Sequence, residues 1–341
     1  MVLDAALAAE SLSAASGLAR AAEAAGFAAV WTTETQHSPF LPLPLIAEHT
    51  TQLRFGTAVA IGLARSPLTL AHTAWDLAEQ SGGRFILGLG TQVKAHIERR
   101  FGMAWPESPV GKLRELIEAI RAVWRAWQTG ERLNYRGEYY QLTLMTPFFS
   151  PPPHAHSEVP IYLAGVNTGL ARLAGEVGQG YHVHPLHSAD YLRAVVRPAL
   201  AAGAARAAVA RTLADLQVAG SVLAVTRPGD EPFVRQQIAF YASTPSYRPV
   251  LALHGWEGVG EALSARAARG DWAAMPALVS DAMLEAFAVS GPLAKLAEPL
   301  RARYAGLLDR VTLYRPYAPG DDEAGWRTLA QTLAATDTER L

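Results

Sequence analysis

The chain has 341 residues, of which 50% are hydrophobic and 18% are charged, and this composition is typical of a globular protein with a large core. Thirty lysine and arginine residues against 31 aspartate and glutamate residues give a net charge of −1, which argues against nucleic acid and anionic membranes as partners. Because there is no cysteine, disulfides, thiolate nucleophiles and cysteine-ligated zinc are excluded.

The amino-terminal segment is predicted to be a buried strand, Val2–Leu7. The first ten residues carry Asp4 and Glu10 and no lysine or arginine, unlike a secretory signal. No run approaches the roughly 18 apolar residues of a membrane-spanning helix. Together with the lack of cysteine, this leads us to expect a cytoplasmic protein.

A strand–helix–strand unit at Leu53–Gly90 is the clearest local pattern. Two apolar runs, Phe55–Ile61 and Phe85–Leu89, flank a helix that begins after Ser66 and ends at Gly82. Such a unit forms two parallel strands with a right-handed crossover.

The same two patterns, apolar runs and helical periodicity, predict the other elements. Further strands are predicted at Phe27–Thr33, Pro160–Ala164, Tyr181–His184, Leu216–Thr226 and Arg310–Tyr314. Further helices are predicted at Ser11–Ala25, Leu41–Gln52, Val110–Gln128, Thr168–Val177, Ser188–Ala202, Pro292–Tyr304 and Asp322–Ala335. Leu133–Leu142 resembles a hairpin, and Asp230–Leu278 is predicted to be mostly helical without strands.

Eight strands that alternate with helices predict an α/β fold, a (β/α)8 TIM barrel formed by residues 1–341 as a single domain. Such barrels need about 250 residues, so we expect insertions after strands four and seven. A doubly wound open sheet is the alternative. It is less favoured because the glycine cluster at Gly88–Val93 lacks the third glycine of a dinucleotide-binding fingerprint.

Residues that follow the strands are the candidate site, because barrel enzymes place function at the carboxyl ends of their strands. Gly165–Thr168 open a helix after strand five, where backbone amides can bind a phosphate, although the same residues also suit an ordinary turn. His182, His184 and His187 suggest a metal, but no further ligands are evident, so none is predicted. His184 is better suited to a hydrogen bond with a cofactor.

Four segments in this order resemble the luciferase-like flavin oxidoreductases, and among them the branch that uses the deazaflavin coenzyme F420. The segments are EAAGFAAVWTTE, FGTAVAIGLARSPLTLA, SGGRFILGLGT and VPIYLAGVNTGLARLAGEVGQGYHVHP. The resemblance implies a (β/α)8 barrel, a cis peptide or bulge at Ala58–Val59 and a homodimer.

The resemblance also assigns residues to the cofactor. It places Glu34 near the ring, Ala58 and Val59 behind the ring, and His96 in contact with the cofactor. The phosphate region is implied to comprise Gly165, Val166, Asn167 and Thr168, followed by His184, Pro185, Leu186 and His187.

The implied activity is hydride transfer between reduced coenzyme F420 and a small organic substrate. His37 is the favoured proton donor because its ordinary pKa is near neutrality, and Glu34 is the other candidate. Thr35 and Gln92 replace a histidine and a glutamate of the alcohol and sugar-phosphate dehydrogenases, which makes those substrates doubtful. The alternatives are an FMN-dependent monooxygenase that uses molecular oxygen and, further away, a barrel that binds a small molecule without catalysis.

Overall fold

Eight parallel strands form a closed barrel in the computed structural model, which describes residues 1–7 and 11–335. The barrel strands are β1 Val2–Ala6, β2 Ala29–Thr32, β3 Arg54–Thr57, β4 Phe85–Gly90, β5 Ile161–Gly165, β6 Gly180–Val183, β7 Gln217–Val225 and β8 Arg310–Leu313. Each strand pairs in parallel with the next, and β8 pairs with both β7 and β1, so the sheet has no open edge. The predicted (β/α)8 barrel is confirmed.

Helices surround the barrel and fill its insertions. They are α1 Leu12–Ala25, α2 Leu43–His49, α3 Pro67–Gln80, α4 Lys94–Arg99, α5 Pro109–Thr129, α6 Thr168–Val177, α7 Ala189–Tyr191, α8 Arg197–Ala204, α9 Asp230–Ala242, α10 Arg248–Ala252, α11 Glu257–Ala268, α12 Asp281–Phe287, α13 Ala297–Tyr304 and α14 Glu323–Ala335. A π-helical turn, Leu192–Val196, joins α7 to α8. Within the described ranges, no helix is long and apolar enough to cross a membrane.

Several helices begin or end at capping residues that are recognisable in the sequence. Gly26 and Gly130 end α1 and α5 in the left-handed conformation, with φ of 88° and 75°. Ser66 precedes α3 as predicted, but its side chain makes no capping hydrogen bond. The apolar stripe of α5 is buried against α3, where Trp124 Nε1 donates a 3.1 Å hydrogen bond to the Ala71 carbonyl.

Both predicted insertions are present. The connection after β4 contains α4, α5 and a small hairpin, Tyr135–Arg136 with Gln141–Leu142. The connection after β7 contains α9 to α12 and then a short strand, Ala288–Ser290, which pairs with Leu223–Val225. That strand was not predicted, because three residues are too few to show a period.

A buried ion pair inside the barrel joins β1 to β8. Asp4 Oδ1 accepts a 2.6 Å hydrogen bond from Arg310 Nη2, and Asp4 Oδ2 accepts bonds from Arg310 Nε at 2.8 Å and from Trp31 Nε1 of β2 at 2.9 Å. Asp4 and Arg310 are only 1% and 6% exposed. Burial acts to lower the pKa of Arg310, but the charge and hydrogen bonds of Asp4 raise it on balance above its ordinary value. Three neighbouring strands are thus linked through one carboxylate.

Replacing Asp4 by asparagine is expected to lower the free energy of unfolding by about 3–5 kcal/mol, because Arg310 would keep a buried charge without its partner. Urea unfolding measures this loss as a lower midpoint at constant slope. The control is Asp4→Leu combined with Arg310→Met, which removes both charges and should be less destabilised than Asp4→Asn. Equal losses in the two variants would show that the unpaired charge of Arg310 is not what destabilises Asp4→Asn.

Candidate active site

A cavity of about 1130 Å³ opens at the carboxyl ends of the strands. Every barrel strand, or the residues directly after it, contributes to the lining. Pockets for drug-sized ligands are commonly about 300–1,000 Å³, so this cavity has room for a cofactor together with a small substrate.

Glu34, after β2, is fixed by three hydrogen bonds. Its Oε1 accepts from Arg65 Nη2, and its Oε2 accepts from Arg65 Nη1 and from the Ile61 amide, each at 2.7 Å. The Glu34 side chain is 7% exposed. Since both oxygens are engaged, Glu34 connects the end of β2 to the chain that follows β3.

The chain after β3 contains the cis peptide bond Ala58–Val59, at the position that the resemblance implied. Ala60–Ile61 then pair with Leu89 and Gly90 of β4. Ala58 and Val59 both line the cavity. A Cβ atom at Gly90 would lie 2.8 Å from Val59 Cγ2, so the position of the Val59 side chain depends on glycine at 90.

The start of α6 forms one side of the cavity. Gly165, Val166 and Asn167 line it, and the Asn167 side chain caps the helix by accepting a 3.0 Å hydrogen bond from the Leu170 amide. Hydroxyls of Tyr181 and Tyr191 donate to the Gly165 and Val166 carbonyls from behind. Thr168 is the first residue of α6, half-buried and outside the lining. The amino end of a helix carries partial positive charge and unpaired amides, which suits a phosphate.

His184 lies against two tyrosines in the cavity wall. Its ring stacks on Tyr247 with centroids 4.2 Å apart and meets Tyr241 edge-on at 4.6 Å. Nδ1 accepts a 3.1 Å hydrogen bond from the Leu186 amide, which leaves the proton of the neutral ring on Nε2. Burial, together with the charge of His187, lowers the pKa of His184 to about 3. The imidazole is therefore neutral at physiological pH.

Two of the four residues predicted after β6 support the wall from behind. Pro185 lines the cavity with His184, whereas Leu186 and His187 are buried outside the lining. His187 Nδ1 donates a 2.8 Å hydrogen bond to the His184 carbonyl. Burial lowers the pKa of His187 to about 4.

His182 lies at the floor of the cavity. Its ring contacts Trp31 edge-on, with centroids 4.7 Å apart, and Tyr162 at 5.4 Å. Nε2 is buried and has no hydrogen-bond partner among the described residues. Burial, and then the charge of Arg310, lowers the pKa of His182 to about 3. The described part of the chain contains no group of three or more potential metal ligands.

Some predicted residues lie away from this arrangement. His37 and His96, both in the described chain, are exposed and are not part of the cavity lining. Among the aromatic residues, Trp31 and Trp105 line the cavity, whereas Phe148 and Phe149 are 90% and 64% exposed and lie outside it.

An aromatic and polar wall from the second insertion was not predicted. Phe233, Gln237 and Tyr241 of α9 line the cavity together with Tyr247 and Tyr314. The hydroxyls of Tyr241 and Tyr314 are 2.5 Å apart, and Tyr314 also donates to Gln237 Oε1 over 3.3 Å. The spacing of positions 233, 237 and 241 places them on one helix face. This spacing is the sequence signal from which the wall could have been predicted.

Comparisons with known proteins identify the family and the fold. A family model described as luciferase-like monooxygenase matches residues 2–310. An uncharacterised protein of Mycobacterium tuberculosis is 44% identical over 306 residues, 86% of this chain and 89% of the relative. The 5,10-methylenetetrahydromethanopterin reductase of Archaeoglobus fulgidus is 28% identical over 308 residues, 87% of this chain and 88% of the reductase.

A solved structure shows the same fold. The coenzyme F420-dependent tetrahydromethanopterin reductase of Methanopyrus kandleri matches with a TM-score of 0.78 at 21% identity. The match covers 98% of this chain and 99% of that one.

Stability is expected to fall as the pH drops from about 6.5 toward 4, because unfolding frees His182, His184 and His187 to bind protons that the folded protein excludes. Each histidine contributes about 1.4 kcal/mol per pH unit in that window, and nothing above it. Urea unfolding at several pH values measures the slope. His187→Asn keeps a donor near Nδ1 and should reduce the slope by about 1.4 kcal/mol per pH unit. An unchanged slope would contradict the assignment.

Proposed function

The chain belongs to the luciferase-like monooxygenase family, and we propose that it is an oxidoreductase that binds coenzyme F420 and transfers a hydride between the deazaflavin and a small organic substrate. The observation that carries the proposal is the cavity, which joins the amino end of α6 to the Ala58–Val59 wall and has room for two ligands. The matched structure, a coenzyme F420-dependent tetrahydromethanopterin reductase, supports the cofactor.

Three observations test whether the residues fit a tricyclic ring with a phosphorylated side chain. The absence of a Cβ at Gly90 leaves Val59 in place as an apolar wall for the ring. The start of α6, which the Asn167 cap and the Tyr181 hydroxyl hold in place, offers backbone amides to the phosphate. His182 belongs to the cavity lining, and its Nε2 is buried without a hydrogen-bond partner among the described residues, which is costly for a polar atom. The residues therefore fit the group.

The bound cofactor would supply the hydride, and the chain would orient the substrate and exclude water. Tyr247 and His184 form one stacked face of the cavity, and Phe233 and Tyr241 extend it from α9. Such a face suits a flat, mostly apolar substrate with one polar group.

The site offers a hydrogen-bond donor in the Tyr241–Tyr314 pair. Burial, and then the hydrogen bond with Tyr314, raises the pKa of Tyr241 above its ordinary value, so its hydroxyl stays protonated. Tyr241 donates this bond, since Tyr314 donates its own proton to Gln237 Oε1. A substrate oxygen that replaces Tyr314 as the acceptor would receive the Tyr241 hydroxyl proton in a hydrogen bond, which stabilises charge that develops on that oxygen.

The sequence predicted two proton donors, Glu34 and His37, and both stay predictions. Their surroundings in the structure differ. The Glu34 carboxylate accepts three hydrogen bonds, so we propose that it positions Arg65 and the Ile61 amide. His37 is exposed on the loop after β2. The resemblance implies a homodimer, and this assembly is likewise proposed.

Titration of the purified protein with oxidised coenzyme F420 and with FMN, followed by fluorescence quenching, tests the cofactor. We expect micromolar binding of coenzyme F420 and at least about tenfold weaker binding of FMN. Gly90→Ala should weaken cofactor binding, because the added methyl group displaces Val59 into the ring site. Gly17→Ala is the matched control, since a Cβ at that position meets nothing within 4 Å.

Preferential binding of FMN would instead favour an oxygen-using monooxygenase, and oxygen consumption would be the next assay. Binding of neither cofactor would contradict the proposed function.

The donor is tested with a substrate found by screening ketones and conjugated enones for anaerobic oxidation of reduced coenzyme F420. Tyr241→Phe is expected to lower kcat about 10²–10³-fold at unchanged cofactor affinity, as the loss of one transition-state donor does. His37→Ala is the comparison. This substitution should change kcat little, because His37 is exposed outside the cavity. If His37→Ala abolishes turnover and Tyr241→Phe does not, the histidine is the donor and the tyrosine pair is structural.

A further inference from the structure

A second pocket, of about 590 Å³, lies outside the barrel and is lined by arginines. The arginines of its lining are Arg114, Arg121, Arg125, Arg206 and Arg211. Positions 114, 121 and 125 share one face of α5, opposite the apolar stripe that packs against the barrel. Two glutamates, Glu118 and Glu176, are also in the lining.

This pocket is at the amino ends of the strands, away from the candidate active site. Gln179, which lines it, lies between α6 and β6, and its Oε1 accepts a 3.1 Å hydrogen bond from the amide of Ile161, the first residue of β5. The active-site cavity is instead lined by Gly165 and Val183, at the other ends of β5 and β6. The barrel wall separates the two sites.

Two of the arginines are held in place before any ligand binds. Arg114 makes a bidentate pair with Glu176 of α6, at 2.5 and 2.7 Å. Arg121 Nη2 donates to the Val177 carbonyl at 2.5 Å and to Gln179 Oε1 at 3.1 Å. A guanidinium fixed through part of its donors can present the others without further loss of side-chain entropy.

Positive charge in the pocket exceeds the negative charge that faces it. Glu176 is paired with Arg114, and Glu118 accepts a 3.1 Å hydrogen bond from the Tyr135 hydroxyl. Arg125 and Arg206 are exposed and make no ion pair with any residue that the structure describes.

Neighbouring arginines also repel each other here. Burial lowers the pKa of Arg121, and the charge of Arg211 lowers it further, while Glu158 and Glu118 act in the opposite direction. Burial likewise lowers the pKa of Arg211, and the charge of Asp215 opposes this change. Like charges that face each other in a recess are stabilised by a bound anion.

Small side chains leave room for such an anion between the arginines. Ala122 of α5 and Ala207 and Ala208, in the connection between α8 and β7, belong to the lining and end at Cβ. The alanine-rich sequence at 199–210 therefore contributes space at this point.

We propose that this pocket binds a small molecule with two adjacent phosphate groups. Planar guanidinium groups match phosphate oxygens with paired hydrogen bonds, and several arginines around one recess suit a diphosphate better than a single charge. The site is independent of the cofactor proposed for the cavity, so failure of one proposal leaves the other standing.

Isothermal titration calorimetry with inorganic pyrophosphate tests the proposal on the full chain. The wild-type protein should bind it more tightly than orthophosphate or citrate. Arg125→Ala and Arg206→Ala should each weaken binding about tenfold, because each removes a charge-assisted contact. Both side chains are exposed, so folding is unaffected. Arg20→Ala, which removes an exposed arginine of α1, is the matched control and should bind as the wild type does.

Two results would overturn the proposal. Pyrophosphate binding that survives in the Arg125→Ala/Arg206→Ala double variant would place the anion elsewhere, the start of α6 included. Binding no tighter than that of citrate, or equal weakening in Arg20→Ala, would show general attraction of anions to basic surface rather than a site.

Discussion

The ion pair between Asp4 and Arg310 is the contact on which the barrel depends, because it joins the first strand to the last. A closed barrel requires its terminal strands to meet, although here they are separated by 306 positions in sequence. Asp4 also accepts the indole N–H of Trp31, so the same carboxylate orients a large ring that reaches the cavity. A buried pair of this kind adds little net stability compared with apolar packing, but it strongly penalises any arrangement that separates its partners.

The cavity lies next to this ion pair, because Trp31, which is hydrogen-bonded to Asp4, lines it. Trp31 and Tyr162 contact His182, whose ring forms part of the cavity floor. At the rim of the cavity, Glu34 is a second carboxylate that links neighbouring segments. It connects the end of β2 to Arg65 and to the Ile61 amide, which follow the cis peptide bond. The two charge pairs thus position the Trp31 ring and the Ile61 amide beside the cavity. A site held by paired side chains in this way is preorganised for its ligand.

Burial gives the histidines of the site a role different from that suggested by their ordinary pKa. His182, His184 and His187 stay neutral because a charged imidazole in this low-dielectric region is not compensated by a carboxylate. As neutral rings they serve as stacking surfaces and as donors or acceptors of single hydrogen bonds. Tyr241 and Tyr247 are likewise neutral, because burial raises the pKa of both. The wall therefore binds through shape and hydrogen bonds, whereas the pocket at the other end of the barrel offers charge.

Local pattern by itself predicted the eight strands, most helices, both insertions and the start of α6 at its Asn167 cap, because burial periodicity and glycine or asparagine caps are local signals. The resemblance located the cis peptide at Ala58–Val59. Only the tertiary structure decided which side chains meet. It paired Glu34 with Arg65, left His37 and His96 exposed, and brought Tyr241 of α9 to Tyr314 after β8, 73 positions away. Such contacts depend on how an insertion folds back over the barrel, and no short-range pattern records that path.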